Sequence, residues 1–264
     1  RSLNDNVLYP AMTHSFIDDN LACQGGKGPD IAMDRLDEFL RRMYRKHGNN
    51  FWIMQGDIHG YYPNMSHERT ERRFHRKVPK IAYNMATDVL RGQYEGNKGY
   101  NPGSQMVQIA GISYLDPFDH FMKEQLHAKI YERYMDDFIE AHEKREVLEE
   151  HLEKVTEYMR KEECELHEKK TRIYHVTEGI PFLGFMHIMT DTGKVIRLID
   201  PDNVKHERLK LRREVALVAK GEMKKHKVKE GYKCWKAHVQ RGNSTKVLMR
   251  MDAYLKSLWE EYNL

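Results

Sequence analysis

Hydrophobic and polar positions recur along this chain with two different periods, and the order of those periods predicts its architecture. Asp30 precedes Leu36, Phe39, Leu40 and Met43 at helical spacing, and Gly48 ends the run, the signature of a capped amphipathic helix. The apolar run Phe51-Trp52-Ile53-Met54, followed by Asp57, predicts a buried strand. Ser66 suits the N-cap of a polar helix. Pro79 suits the start of another, with Ile81, Ala82, Met85 and Val89 inside it and Gly92 at its end. A glycine-rich loop over 93–102 leads back to helical spacing at Met106, Ile109 and Ala110, then after Pro117 at Phe118, Phe121, Met122 and Leu126. Residues 130–134 and 138–142 read as two strands flanking Met135-Asp136-Asp137, a hairpin with acid at its tip. Leu148, Leu152, Val155 and Met159 mark a helix packed on one side. Residues 172–176, 182–189 and 194–199 predict strands, the last two joined by Asp191-Thr192-Gly193. From Pro201 onward the spacing is helical, through Val204, Leu211, Val215 and Val218 and again through Leu248, Met251, Leu255 and Leu258. Mixed α and β followed by helix alone predicts an α+β body with a helical bundle appended.

Composition narrows the class. The chain has 264 residues, 40% of them apolar, which excludes a disordered chain and fits one large domain or two small ones. It holds no apolar run long enough to span a membrane. Cys23, Cys164 and Cys234 form no CxxC pair, which points to a reducing compartment and a cytoplasmic location. The chain opens Arg1-Ser2-Leu3, without an initiator Met or a signal sequence, and reads as a fragment whose upstream part is missing. The formal charge of +4 averages two unlike regions. Residues 201–264 carry 16 Lys/Arg against 8 Asp/Glu, whereas residues 1–200 carry 28 against 32. A basic tail on a slightly acidic body suits a protein that handles a polyanion, although a solvated helical surface would show the same charge.

Three acids carry the candidate chemistry. Asp57 follows a strand-like apolar run, and Asp136 and Asp137 sit between two strands, so a hairpin tip beside another strand end can gather all three. Hard divalent cations such as Mg²⁺ take oxygen ligands and use one or two carboxylates plus substrate phosphates. Two such ions serve an in-line displacement at phosphorus. A polar turn would also account for Asp-Asp, but buried strand ends rarely hold adjacent acids without a counterion.

With these residues in view, the chain resembles the prokaryotic reverse transcriptases of the group II intron and diversity-generating retroelement type. Tyr134-Met135-Asp136-Asp137 is similar to their YxDD box, and the run from Asp57 to Met65 resembles their D-I-x-x-[FY]-[FY]-x-x-[IM] pattern. Residues 99–108, continuing to Tyr114-Leu115-Asp116-Pro117-Phe118-Asp119-His120, resemble the second motif. Leu166-His167-Glu168-Lys169-Lys170-Thr171 resembles the fourth, and Phe182-Leu183-Gly184-Phe185 the primer grip. Upstream, Phe16-Ile17, Ala22-Cys23 and Gly26-Lys27-Gly28 resemble the finger segment before the palm. The resemblance implies an α+β right-hand polymerase with partial fingers over 1–50. A palm over 51–200 would carry an interleaved finger segment at about 66–100, and 201–264 would form a helical thumb.

The resemblance also assigns roles. Asp57, Asp136 and Asp137, with the Ile58 carbonyl, would hold two Mg²⁺, for which Mn²⁺ substitutes. Tyr62 would be the steric gate under the incoming sugar, with Tyr61, Ile58, Gly103, Gln105 and Gln108 around the nucleotide. Lys170, or its neighbour Lys169, would protonate the leaving pyrophosphate. Phe182, Leu183, Gly184 and Phe185 would hold the primer end. The implied reaction is RNA-directed DNA synthesis from dNTPs on an RNA template with a DNA primer, by a bacterial or phage retroelement, with an accessory protein or structured element RNA as a further partner. Lys210, Arg212, Arg213, Lys224, Lys225 and Lys227 would face the duplex through its phosphates, while Trp235, His238 and Trp259 fit the bundle core. The second motif departs from the family's P-Q-G-x-x-x-S-P: no Gln precedes Gly103, Gln108 replaces the final Pro as in diversity-generating enzymes, and Val107 stands where those carry Ser. Relaxed nucleotide selection follows as an expectation. The competing readings are a group II intron-type maturase or RNA-binding protein, and a defence-associated relative without ordinary templated synthesis. A zinc site at Cys164, His167, His142 and His151 lacks known ligand spacing, and Gly25-Gly26-Lys27-Gly28 lacks the P-loop spacing.

Overall fold

The computed structural model describes residues 2–92 and 94–264; Arg1 and Gln93, the first residue of the expected loop, lie outside that set. The chain divides into two compact units, one ending at His175 and the other starting at Val176. In the first, β1 (Trp52–Gly56), β2 (Tyr131–Tyr134), β3 (Asp137–His142) and β4 (Arg172–His175) form an antiparallel sheet in the order β2-β3-β1-β4. The helices of this unit are α1 (Tyr9–Thr13), which follows a π-helical turn at Asn4–Leu8, α2 (Pro29–His47), α3 (Tyr61–Asn64), α4 (His67–Lys77) and α5 (Lys80–Arg91). After them come α6 (Gln105–Tyr114), α7 (Asp116–His120) and α8 (Arg145–Lys161).

Local chemistry explains the element ends. Pro29 and Asp30 open α2, Arg45, Lys46 and His47 close it against the helix dipole, and Gly48 turns left-handed at φ 58°. The Ser66 hydroxyl accepts from the Arg69 N–H at the start of α4, and Ser104 accepts from Val107 at the start of α6. Leu148, Val155 and Met159 press α8 onto the sheet, and α6 is buried along most of its length. Two expectations change. The helix expected after Pro79 forms, but it buries Ala82, Ala86 and Leu90 and leaves Ile81, Met85 and Val89 exposed. The N-terminal helical segment, with Leu8 and Met12 buried, has no counterpart in the periodicity.

In the second unit, β5 (Ile180–Phe182), β6 (Phe185–Met189) and β7 (Val195–Ile199) form a three-stranded antiparallel sheet. The single strand expected over 182–189 is thus the end of one strand and the whole of another. Leu183 at φ 48° and Gly184 at φ 83° make a two-residue hairpin turn there, with both residues left-handed. Helices α9 (Pro201–Ala219), α10 (Lys225–Val239) and α11 (Thr245–Glu261) follow. Leu211, Val215, Val228, Met251, Leu255 and Leu258 form their shared core. Trp235 packs against this core and donates its indole N–H to Asn203 at 2.7 Å, and Trp259 borders it with Lys225 over its ring at 4.7 Å.

A fully buried ion pair ties the first unit together. Arg133 on β2 and Asp119 on α7 are both 0% exposed. Nε and Nη2 of Arg133 each donate to one Asp119 oxygen at 2.7 Å, a bidentate pair. Asp119 also accepts from Tyr131 at 2.7 Å and from Asn20 at 3.3 Å, so its oxygens are fully used. Two further donors of Arg133 go to carbonyls, Nη1 to Met135 at 2.6 Å and Nη2 to Ile112 at 3.1 Å. Removing one partner strands the other charge in the core, so Arg133→Ala and Asp119→Ala should each cost about 3–5 kcal/mol of unfolding free energy. Denaturant titration reads this directly, and Arg133→Lys should recover only a minor part, having no fork to match the carboxylate.

Candidate active site

Strand register, rather than proximity in sequence, assembles the acids. Gly56 pairs with Phe138 in the β1–β3 ladder, so the next step sets Asp57 across from Asp137. On the other flank Gln55 pairs with Arg172, and Lys170 lies two residues beyond. Its ammonium reaches back to donate to Asp57 Oδ2 at 2.7 Å. Tyr134 pairs with Asp137, leaving Met135 and Asp136 as a two-residue hairpin turn. Met135 is left-handed at φ 57°, an unfavourable conformation for a side chain of its size, and the Arg133 guanidinium holds its carbonyl.

Electrostatics within this cluster are unfavourable by construction of the fold. Asp57 is 7% exposed, and Asp136 and Asp137 are half-buried. Burial, with the neighbouring carboxylates of Asp136 and Asp57, pushes the Asp137 carboxyl up to about 7, where in its protonated form it hydrogen-bonds to Asp57. Asp136 is raised as well, first by burial and then by Asp57, against the lowering effect of a backbone hydrogen bond. The hydrogen bond to Asp57 raises Lys170 in turn, so its ammonium is the resident cation of the cluster. The donor set is oxygen only, as hard divalent cations require, and their charge would relieve the repulsion that holds Asp137 protonated. Among the described residues no three His, Cys, Asp or Glu side chains already stand in metal-ligating geometry. The residues fit such ions by chemistry, with Lys170 in contact with one of the oxygens they would use.

The remaining expected site residues fall in three places. Around Asp57, the backbone bonds from His167 N–H to the Asp57 carbonyl and from His59 N–H to Glu165 flank the Ile58–Leu166 bridge. That pattern turns the Ile58 carbonyl away from Leu166. Gly103, Gln105 and Gln108 are exposed at the start of α6, with Gly103 at φ 151°. A cavity of about 280 Å³ is lined by Gln105, Gln108, Cys23 and Asn4 among others. Tyr62 is half-buried, its phenol pushed up to about 12 by burial, then by Cys23 and Asp136. Tyr61, expected among the substrate contacts, turns its side chain into the core instead, where its hydroxyl donates to the Gly111 carbonyl at 2.6 Å. Phe182–Phe185 belongs to the second unit; both Phe rings are buried, so the turn offers Leu183 and Gly184.

Residues that sequence reasoning passes over support the site. Arg133 and Asp119 lie within or beside motifs that assign them no role; charge inside an otherwise apolar strand is the available signal. Of the residues in the zinc alternative, His151 is bonded to Glu140 at 2.9 Å, and Cys164 is buried with its thiol pushed up to about 11, mainly by that burial. Arg69 and Arg73 fasten α4 to Glu162 at the end of α8, and Lys77 pairs with Asp116 at 2.5 Å. In the second unit a groove of about 440 Å³ along α9 is lined by Lys205, Arg208, Leu209, Arg212 and Tyr254. Arg208 lies over the Tyr254 ring at 4.3 Å.

An antiparallel sheet backed by helices, with acids at a strand end and an adjoining hairpin turn, is the palm-like architecture of a nucleotidyl-transferring polymerase. Residues 10–187 match the family model described as reverse transcriptase (RNA-dependent DNA polymerase), and the chain belongs to that family. Its fold is similar to that of a Candida albicans telomerase solved with a TWJ fragment of telomeric RNA. The TM-score is 0.54 at 12% identity, over 79% of this chain and 43% of that one. An apo telomerase from Candida tropicalis is similar at TM-score 0.51 and 13% identity, over 72% of this chain and 39% of that one. At these identities the likeness is one of fold, and the chain spans about two fifths of the length of those telomerases. No curated protein matches the sequence.

The raised Asp137 makes a testable demand on stability. A carboxyl moved from 3.8 to about 7 takes up a proton on folding between those values, so stability falls as pH rises through that window. In chelator, Asp137→Asn should therefore be more stable than the parent at pH 8, by on the order of 1 kcal/mol after solvent screening, and equal to it at pH 4. Thermal melts at the two pH values check the sign.

Proposed function

We propose that this chain acts as an RNA-directed DNA polymerase with finger, palm and thumb segments, extending a DNA primer on an RNA template from dNTPs. The observation that carries the reading is the convergence of Asp57, Asp137 and Lys170, with Asp136 at the adjoining turn, in a chain of the reverse transcriptase family. In the proposed reaction the primer 3′ hydroxyl gives its proton to water and its oxygen bonds to the α-phosphorus of the nucleotide. The bond from that phosphorus to the bridging oxygen breaks, and pyrophosphate leaves. Two Mg²⁺ ions, bound by the carboxylates of Asp57, Asp136 and Asp137 and the Ile58 carbonyl, would supply charge stabilisation for the attacking and leaving oxygens.

This chain's residues do the rest. Lys170, already protonated beside Asp57, is the donor for the leaving pyrophosphate. Tyr62 is the steric gate beneath the incoming sugar and excludes ribonucleotides. Gly103, Gln105 and Gln108 border the nucleotide, and the Leu183–Gly184 turn supports the primer end through its backbone. Residues 1–50 and about 66–100 act as finger segments and 201–264 as the thumb. The Asp57–Met65 pattern supports a retroelement of bacterial or phage origin, and three free cysteines suit a cytoplasmic location. Among the described residues no helix is long and apolar enough to cross a membrane.

Primer extension tests the chemistry. Asp136→Asn/Asp137→Asn should reduce dNTP incorporation on an RNA template by at least about 10³-fold, a rise of about 4 kcal/mol in the barrier, without weakening duplex binding. Synthesis that survives the double change would refute the mechanism. The basic groove on α9 tests the thumb assignment separately. Reversing Lys205, Arg208 and Arg212 to Glu should weaken primer–template binding on every sequence and flatten its log–log salt dependence, by roughly one unit for each phosphate the thumb no longer neutralises. Filter binding from low to high salt measures the slope.

A further inference from the structure

Both tyrosines of the Asp57 motif rest on one residue of α6. Gly111 accepts the Tyr61 hydroxyl on its carbonyl at 2.6 Å. A Cβ on Gly111 would stand 2.9 Å from Tyr62 Oη and 3.1 Å from both Cε1 and Cζ. Non-bonded carbons need about 3.5–4.0 Å, so no larger residue fits while Tyr62 keeps its place. Backbone conformation does not call for glycine here: Gly111 lies inside a regular helix and is absent from the glycines of positive φ. Glycine at such a position costs roughly 1 kcal/mol relative to alanine. The close approach of the Tyr62 ring is what the missing side chain permits.

That ring has few places to go. Tyr61 packs beside it with ring centroids 5.6 Å apart, and Tyr61 is itself locked by its bond to Gly111. Cys23 and Asp136 lie near enough to act on the Tyr62 phenol. Cys23 in turn touches Met135 of the hairpin turn, sulfur to sulfur at 3.9 Å. A side chain at Gly111 therefore changes where the Tyr62 ring stands relative to these neighbours.

We propose that Gly111 is a positioning residue that sets how far the Tyr62 ring projects into the nucleotide site, and through it the discrimination between deoxyribo- and ribonucleotides. Gly111 and Tyr62 form a matched pair: a hydroxylated ring needs a bare backbone beneath it. The inference rests on the reading of Tyr62 as the residue facing the sugar.

The test compares Gly111→Ala, Tyr62→Phe and the double variant, in the full chain, by crystal structure and single-nucleotide incorporation. Gly111→Ala should displace the Tyr62 ring by at least about 0.5 Å. It should raise KM for dNTPs about tenfold with kcat changed less than about twofold, and reduce ribonucleotide incorporation at least as strongly. The double variant lacks the nearest atom, Oη, and should recover part of the KM loss, Cε1 and Cζ still standing 3.1 Å from the new Cβ. A Gly111→Ala chain with the parental ring position and KM overturns the proposal. A KM defect undiminished in the double variant also overturns it, since plain packing damage would not answer to removal of one oxygen. A Gly111→Ala chain that folds only together with Tyr62→Phe supports the pairing; one that unfolds in both backgrounds overturns it. Tyr62→Val tests the underlying reading by itself: unchanged ribonucleotide exclusion there defeats the gate role of Tyr62, while ring displacement in the Gly111→Ala crystal still reports on the pairing.

Discussion

A single guanidinium organises the first unit. Arg133 has no solvent to satisfy it, and five donors placed in the core demand acceptors of fixed geometry. Asp119 meets the fork on two sides, and the Ile112 and Met135 carbonyls each take one more donor. Four pieces of chain are thereby fixed to one planar group: α7, the end of α6, the β2–β3 turn and, through Asn20 from far upstream, the segment before α2. The backbone of that segment also pairs with Arg133, whose N–H donates to Asp19 and whose carbonyl accepts from Leu21, both at 2.9 Å. A buried pair of this kind is a poor source of net stability, because desolvation cancels much of the Coulomb attraction. Its value here is positional. It holds Met135 in a conformation the residue would not choose, and Met135 carries Asp136 and Asp137 behind it.

The acid cluster is the counterpart of that rigidity. Register sets Asp57 against Asp137, and neither strand can slip without moving its apolar set out of the core. The like charges cannot separate, so the fold answers in two ways: Asp137 keeps a proton toward neutral pH, and Lys170 bonds to Asp57. Both responses leave the cluster receptive to cations. Lys170 is 60% exposed and can swing away, while the carboxylates sit on, or next to, the paired strands of the sheet.

Helix α6 links the two sides of the site. Its N-terminus presents Gln105 and Gln108, its middle supports Tyr61 and Tyr62 at Gly111, and its last turn offers the Ile112 carbonyl to Arg133. One buried, uncharged helix thus carries the expected nucleotide contacts and is anchored to the same guanidinium as the acids. That arrangement makes the spacing between Tyr62 and the carboxylates a property of packing rather than of loops.

Most elements were legible in the sequence because their signals are local. Ser66, Pro79, Gly48 and Gly92 act on the turn in which they sit, and Val155 and Met159 repeat at the period of the helix they bury. The acids were legible for the same reason, since Asp57 follows an apolar strand and Asp136-Asp137 occupies a hairpin tip. Where several conformations serve a local pattern equally, the reading failed. Residues 182–189 alternate like one strand, but Leu183-Gly184 can turn left-handed and does. The apolar residues of α5 mark a helix without saying which face meets the core, and the core took Ala82, Ala86 and Leu90. Tyr61 and Tyr62 are adjacent and alike, yet one is buried on the Gly111 carbonyl and the other stands half-exposed beside Asp136. By itself the sequence determined the α+β order, the acid triad and the family's motifs in succession. Only the tertiary structure decided that Arg133 pairs with Asp119, that Lys170 reaches Asp57 and that Gly111 underlies Tyr62. Each of these joins residues far apart in the chain, and the energy that selects them, desolvation of charge and close packing, exists only once the surrounding core has excluded water.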